Sequence, residues 1–208
     1  FNFGAPGSYA ISKLKLIKKS LIEKRLNIKL KEKIILATLH PVTLEKNMSK
    51  HQIKNLIKFL NTLDNCSIIF TSPNFDNESD IIKKEILKFT RKKKNVYFYN
   101  SLGSELYLSL MKTASLVIGN SSSGVLETPS FGVNTINIGD RQKGRIISNN
   151  IISCDYDYDS INKAYLKFKK KTTKPSNPFL KKNTPKNISK KIMNFQFNIK
   201  KKFFDIEI

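Results

Sequence analysis

The sequence predicts an α/β fold in which helices cover both faces of a parallel sheet. Short apolar runs alternate along the chain with stretches in which apolar residues recur at helical spacing. The first run, residues 33–39, is apolar almost throughout, as expected for a strand that is buried on both faces. Repeated strand–helix–strand units form parallel sheets through right-handed crossovers. We therefore expect a Rossmann-like domain with the strand order 3-2-1-4-5-6.

The predicted elements follow one another regularly. Residues 1–8 contain Gly4, Pro6 and Gly7 and are expected to be irregular, with Ser8 capping a helix over 8–27. Strands are predicted over 33–39, 67–71, 95–99, 116–118, 133–138 and 150–153, and the first ends before Pro41, which lacks an N–H. Helices are predicted over 49–63, 76–91, 104–113, 157–170 and 184–194, with a shorter one that begins after residue 123 and ends near Gly132.

Three parts are expected along the chain. Residues 1–8 are interpreted as a linker from an N-terminal domain outside this sequence, because the chain begins at Phe1 and a helix precedes the first strand. Residues 9–170 form the Rossmann-like, ligand-binding domain. Residues 171–208 hold a Pro- and Lys-rich crossing segment, a terminal helix and a basic tail.

Composition narrows the function classes. The formal net charge is +22, but only four of the 38 basic residues are Arg, and base-reading surfaces usually concentrate Arg. We therefore expect no nucleic-acid partner. No apolar run reaches the length of a membrane span and no signal peptide is visible, so we expect no membrane partner. Two cysteines are too few for a metal cluster or a disulfide framework, so no metal site is expected, and we expect both thiols to be free and buried in a reducing cytoplasm.

A serine-rich turn is the main functional signal. A short strand breaks at Gly119-Asn120 into three serines and then enters a helical pattern. Such a turn presents free N–H groups to an anion, and the hydroxyls of Ser121 and Ser122 can bind phosphate oxygens. The alternative is that Ser122 or Ser123 only caps the helix.

The predicted strand order places His40 beside this turn. Strands one and four are neighbours at the point where the strand order reverses, so His40 and residues 121–123 would flank one crevice. Ligands of open α/β sheets bind there. In this position His40, protonated or as a neutral donor, could stabilise a departing phosphate. The alternative is a polar side chain that is satisfied within the structure.

Other candidates follow neighbouring strands. Glu127 lies one helical turn beyond Ser123 and could accept sugar hydroxyls, or it could simply complement the helix dipole. Arg141 suits a diphosphate, with a salt bridge to Asp140 or Asp155 as the alternative. Asn74 follows the second strand, where turn chemistry alone could explain it.

Leu102 follows the third strand, where exposed backbone groups could pair with the edge of a base. The sequence contains no Gly-x-Gly-x-x-Gly fingerprint, Walker loop, zinc spacing or nucleophile elbow. These absences argue against dinucleotide and P-loop interpretations.

Four motifs occur in the same order in one family: LHPVT at 39–43, SPNFD at 72–76, IGNSSSGV at 118–125 and NIGDRQKGR at 137–145. Over residues 4–194 the chain resembles the C-terminal half of the UDP-N-acetylglucosamine 2-epimerases, in particular the hydrolysing branch of sialic and legionaminic acid synthesis. The resemblance implies the C-terminal domain of a glycosyltransferase-B-type fold, with residues 9–170 binding UDP.

The resemblance also implies residue roles. The diphosphate would be contacted by His40, Arg141, Ser121 and Ser122. Glu127 would hold the ribose, and the backbone of Leu102 would contact the uracil. Asn74 would lie at the rim of the cleft.

The implied reaction eliminates UDP across C1–C2 of the sugar and then hydrates the glycal to N-acetylmannosamine or a related sugar. The UDP-sugar is the substrate, and no cofactor is implied. The carboxylates that move the C2 proton are expected in the N-terminal domain, so this chain alone is expected to be inactive. A homodimer is also implied.

Two alternatives remain open at this point: a UDP-binding Rossmann module without catalysis, and a UDP-sugar glycosyltransferase of the same fold. Leu126, Pro129 and Ile146 depart from the family pattern. They leave open a different substrate, such as a diacetylated bacillosamine nucleotide, or a decaying gene copy.

Overall fold

A computed structural model describes residues 1–169 and 176–196 of the chain. Six parallel strands form one sheet in the order β3-β2-β1-β4-β5-β6, which confirms the predicted fold class and strand order. The strands are β1 (Lys33–Thr38), β2 (Cys66–Thr71), β3 (Val96–Tyr99), β4 (Leu116–Gly119), β5 (Thr135–Ile138) and β6 (Ile151–Cys154).

Helices connect the strands and cover both faces of the sheet. They are α1 (Pro6–Lys13), α2 (Lys19–Leu26), α3 (Ser49–Leu60), α4 (Ser79–Lys92), α5 (Gly103–Thr113), α6 (Ser123–Leu126), α7 (Tyr158–Lys169) and α8 (Thr184–Met193). A 3-10 turn, Thr128–Ser130, follows α6. The predicted terminal helix is α8, whereas residues 171–175 of the predicted crossing segment and the basic tail from residue 197 lie outside the described residues.

Two apolar clusters sandwich the sheet. Alternate β1 residues point to opposite faces: Ile34 and Leu36 pack with α1, α2 and α5, whereas Ile35 and Ala37 pack with α3, α4 and α7. All four are essentially inaccessible to solvent. The continuous apolar run predicted from the sequence therefore reflects burial on both faces, as parallel sheets require.

The predicted helix over residues 8–27 is wrong, because two helices occupy this stretch. Leu14 and Lys18 are extended, and the N–H of Ile17, between them, donates to the hydroxyl of Ser109 at 3.1 Å. Ser8 is not a cap but a buried residue inside α1, which begins at Pro6 within the stretch expected to be irregular. Proline suits a first helical turn because its missing N–H is not needed there.

β1 and β4 approach each other very closely at the point where the strand order reverses. Gly119 pairs with Thr38, and a Cβ atom at Gly119 would lie 1.8 Å from the Thr38 carbonyl oxygen. Gly119 also has φ +136°, which side-chain-bearing residues rarely adopt. Only glycine therefore lets the serine turn begin this close to β1.

Gly119→Ala should cost more than about 4 kcal/mol or prevent folding, because backbone atoms block the new methyl group. Gly144→Ala is the matched control, since Gly144 also has positive φ, +83°, but open space around it. Its left-handed backbone should cost about 1–2 kcal/mol. Denaturant unfolding of both variants measures the difference, and similar losses would contradict the predicted backbone collision.

Candidate functional site

An open cavity of about 290 Å³ lies at the carboxyl ends of β1, β2 and β4. Its wall includes six of the seven predicted site residues: His40, Asn74, Ser121, Ser122, Glu127 and Arg141. Strand order explains this convergence, because the residues follow β1, β2, β4 and β5, which are consecutive neighbours in the sheet. The structure thus brings the imidazole, the hydroxyls and the guanidinium together, while their roles in binding stay predictions.

The seventh predicted residue, Leu102, does not line this cavity. It lies directly before α5, and its side chain is partly buried against the apolar cluster that contains Leu36. Its proposed backbone contact with a base stays a prediction.

The buried side chain of Asn120 ties the loops of the cavity together. It accepts a hydrogen bond from the N–H of His40 at 2.7 Å and donates one to the carbonyl of His40 at 2.8 Å. The backbone carbonyl of Asn120 accepts from Arg141 at 3.3 Å and from Gln142 at 2.9 Å. One fully buried residue therefore fixes the loops that follow β1, β4 and β5.

His40 is neutral in this environment. Burial and, as the smaller cause, the positive charge of Arg141 together lower the pKa of its imidazole from 6.5 to about 4, whereas Asp76 opposes the change. Its Nδ1 accepts a hydrogen bond from the N–H of Asn74 at 3.0 Å, so the neutral ring carries its proton on Nε2. Of the two forms considered from the sequence, the structure supports the neutral donor.

The three serines of the turn differ in what their hydroxyls do. Ser123 donates to the carboxylate of Glu127. Ser121 accepts from the N–H of Ser123 at 3.3 Å, which leaves its own proton available. Ser122 occupies the cap position of α6 but makes no side-chain capping bond. Ser121 and Ser122 can therefore both donate to a ligand, and simple capping does not explain Ser122.

The helix after the turn is shorter than expected. α6 has four residues and is followed by a separate 3-10 turn, Thr128–Ser130, whose Pro129 lacks the N–H that a continuing helix would need. Four aligned peptide dipoles make only a weak macrodipole. Anion binding at this turn must therefore depend on individual N–H, hydroxyl and guanidinium groups.

Arg141 is held without a carboxylate partner. Its guanidinium donates to the Asn120 carbonyl, and it forms no ion pair within residues 1–169 and 176–196. The Asp140 carboxylate pairs with Lys143 instead, at 3.2 Å. The salt bridge considered as the alternative role is thus not formed in the described structure.

The sequence interpretation missed several cavity residues. Thr38 and Thr71 line it from the last positions of β1 and β2 and could have been found by the same rule about strand ends. Tyr107 lines it from the middle of α5, and no local signal in the sequence marks it. Asn120 lay within the serine motif, but its buried bonds depend on tertiary contacts.

The described residues contain no group of three His, Cys, Asp or Glu side chains placed to hold a metal ion. In the same part of the chain, no helix has both the length and the apolar character needed to cross a membrane.

Comparisons with known proteins identify relatives. The sequence model of the family described as UDP-N-acetylglucosamine 2-epimerase matches residues 1–193. A Campylobacter jejuni protein named GDP/UDP-N,N'-diacetylbacillosamine 2-epimerase (hydrolyzing) is 41% identical over 175 residues, which are 84% of this chain and 45% of that protein. The Escherichia coli polysialic acid biosynthesis protein P7 is 34% identical, over 94% of this chain and 51% of its own length. A Legionella pneumophila UDP-N,N'-diacetylbacillosamine 2-epimerase (hydrolyzing) is 31% identical over 77% of this chain and 42% of its own length.

The chain thus spans about half the length of the curated relatives it matches. Solved structures share its fold at low sequence identity. The Staphylococcus aureus MnaA–UDP complex superimposes with a TM-score of 0.69 and 14% identity, covering 91% of this chain and 52% of that one. The Methanocaldococcus jannaschii UDP-GlcNAc 2-epimerase in complex with UDP-GlcNAc and UDP superimposes with a TM-score of 0.65 and 18% sequence identity, and the match covers 88% of this chain and 50% of that one.

His40→Asn should make stability less dependent on pH. The unfolded chain takes up a proton on His40 below about pH 6.5, whereas the folded chain does so only near pH 4. As the pH is lowered from about 6.5 to about 4, the free energy of unfolding should therefore decrease, and the contribution of His40 to this decrease should be up to about 3 kcal/mol. Urea unfolding between pH 7 and 4 should show a flatter dependence for His40→Asn, in which the amide oxygen can still accept from Asn74. A variant that follows the parent would contradict the buried neutral state, and the exposed His51→Asn serves as control.

Asn120→Ala should lower the free energy of unfolding by about 2–5 kcal/mol, because it leaves the buried N–H and carbonyl of His40 unpaired. Asn61→Ala removes the same group from an exposed position and should change stability by less than about 0.5 kcal/mol. Thermal unfolding distinguishes the two. A decrease in melting temperature for Asn120→Ala no larger than that of the control would contradict the stabilising role of the two Asn120–His40 hydrogen bonds.

Proposed function

Because this chain belongs to the UDP-N-acetylglucosamine 2-epimerase family, we propose that it is the nucleotide-binding half of a hydrolysing 2-epimerase of UDP-linked N-acetylated amino sugars. The observation that carries the proposal is the convergence of His40, Ser121, Ser122 and Arg141 on one cavity. Together they supply neutral hydrogen-bond donors and one cation, the combination that a diphosphate requires.

The diphosphate is held by directed donors. Arg141 has five N–H groups and its NH1 nitrogen donates to Asn120, which leaves most of the planar fork for phosphate oxygens. His40 offers its Nε2 proton, and Ser121 and Ser122 offer hydroxyls. Glu127 cannot contact phosphate favourably, because a carboxylate only accepts hydrogen bonds, and it serves the ribose hydroxyls instead.

The same donors assist the proposed reaction. A base removes the proton from C2 of the sugar, its electron pair forms the C1=C2 double bond, and the C1–O bond breaks. The departing electron pair stays on the diphosphate oxygen. His40, Arg141 and the two serines stabilise this growing charge in place, which lowers the barrier to elimination. Water then adds across the double bond.

The sugar is proposed from the relatives. Two of the three relatives compared above are named for N,N'-diacetylbacillosamine nucleotides. These names support a diacetamido sugar nucleotide as the first substrate to test, with UDP-N-acetylglucosamine as the second.

The base for the C2 proton is assigned to the half of the family's polypeptide that has no counterpart in this chain. This assignment is supported by coverage of about half of each relative. The two halves would face each other across the cavity, as in a glycosyltransferase-B-type fold, and the present chain would bind nucleotide without catalysis. The homodimeric state and the cytoplasmic location stay predictions.

UDP should raise the melting temperature of the 208-residue chain. At a concentration of about 100 times Kd, a ligand of the folded state adds about 2.7 kcal/mol, or a shift of roughly 5–10 °C for a chain of this size. Arg141→Ala should abolish the shift, whereas Arg145→Ala, an exposed arginine in the same loop, should keep it. No shift for the folded parent at millimolar UDP would overturn the proposal.

Activity should require both halves of the protein. Supplied with the missing half, the chain should release free UDP and a 2-epimerised sugar from a UDP-N-acetylated substrate. Formation of a glycoside in place of the free sugar would indicate a glycosyltransferase instead. UDP binding without any turnover in the complete protein would indicate a non-catalytic nucleotide-binding module.

A further inference from the structure

The loop that holds the His40 ring is positioned by hydrogen bonds rather than by packing. It spans residues 72–78, between β2 and α4, and none of the side chains of residues 74–81 is buried. Phe75 projects fully into solvent. From this loop the N–H of Asn74 donates to Nδ1 of His40 at 3.0 Å. The orientation of the ring therefore depends on where an otherwise weakly packed loop lies.

The far end of the loop is anchored by Glu78. Its carboxylate accepts hydrogen bonds from the N–H groups of Asn47, at 2.6 Å, and Ser49, at 3.2 Å. Glu78 adopts a left-handed backbone, φ +67°, which is uncommon for a residue with a side chain. A turn in which the N–H of Ser79 donates to the carbonyl of Asp76 at 3.1 Å joins Glu78 to the middle of the loop.

α3 receives from Glu78 the cap that its own sequence does not supply. Its N-cap residue, Met48, makes no side-chain capping bond, and no acidic residue lies in its first turn. The first N–H groups of a helix have no partners within the helix, and they favour negative charge. Glu78 supplies both the acceptors and the charge from a different part of the chain. The start of α3 and the loop 72–78 are thus held together.

The loops that follow β1 and β2 are joined at two places. The first junction is the hydrogen bond from Asn74 to the ring of His40, and the second is the pair of bonds to Glu78. Asn120 bonds the backbone of His40, so it does not orient the ring. The ring relies on Asn74, and the position of Asn74 relies on the second junction.

We propose that Glu78 is a positioning residue: by holding the loop 72–78 against α3, it keeps the N–H of Asn74 on Nδ1 of His40 and so keeps the Nε2 proton available to the diphosphate. Without this bond the neutral ring can carry its proton on either nitrogen, and one of the two tautomers offers the ligand an acceptor in place of a donor. The effect on UDP rests on the proposed function, whereas the effect on the His40 tautomer does not.

The first measurement is the tautomer of His40 at neutral pH. Ring-nitrogen NMR spectra of the labelled 208-residue chain contain signals of two histidines, which His51→Asn assigns. The parent should carry its proton on Nε2. Glu78→Ala should bring the shifts of the two ring nitrogens closer together, because the ring then exchanges between tautomers. Glu78→Gln keeps one oxygen acceptor and should give shifts between those of the parent and Glu78→Ala.

The second measurement is UDP binding by calorimetric titration of the same variants. Glu78→Ala should weaken UDP binding about three- to tenfold, as expected for one lost hydrogen bond. Lys54→Gly is the matched control, because this exposed residue in the middle of α3 destabilises the helix without altering the loop 72–78. It should lower the melting temperature by about 2–4 °C and leave the His40 tautomer and the UDP affinity unchanged.

The outcomes separate this inference from the proposed function. Equal changes in Lys54→Gly and Glu78→Ala would indicate an effect of helix stability and overturn the positioning role. Parental His40 shifts in folded Glu78→Ala would overturn it as well, and Glu78→Gln decides in the same way where Glu78→Ala does not fold. A changed tautomer in Glu78→Ala, with no binding of UDP by the parent, would support the positioning of the ring and overturn the proposed function.

Discussion

The buried amide of Asn120 is the contact on which the rest of the site depends. Its two hydrogen bonds to the backbone of His40 satisfy a donor and an acceptor that would otherwise be unpaired at the end of β1. The backbone carbonyl of Asn120 accepts hydrogen bonds from the side chains of Arg141 and Gln142. Because Gly119 allows β4 to approach β1 so closely, the side chain and the backbone carbonyl of this one residue can join three loops that are far apart in sequence.

The electrostatic character of the site follows from this arrangement. The loop that Asn120 fixes buries His40 beside Arg141, and an imidazole in such a place stays neutral. With α6 only one turn long, the helix dipole adds little. Apart from the Glu127 carboxylate, the wall of this cavity therefore presents one guanidinium and neutral donors, which favours an anion without burying several unpaired charges.

Much of the site could be inferred from local sequence, because functional residues in open α/β sheets follow strand ends. His40, Asn74, Ser121 and Arg141 come after four different strands and meet as expected. Tyr107 could not be found in this way, since it lies inside a helix and reaches the cavity only through the packing of α5.

The sequence by itself determined the strand order, the double burial of β1 and the grouping of the cavity residues, because alternation of apolar runs and helical patterns records which faces lose contact with water. Tertiary structure alone decided the break between α1 and α2. The N–H of Ile17 is bound by Ser109, a residue 92 positions away, and no local pattern contains that partner. It also decided how short α6 is and what each serine does, since hydrogen bonds are divided among groups only after the folded chain has brought them together.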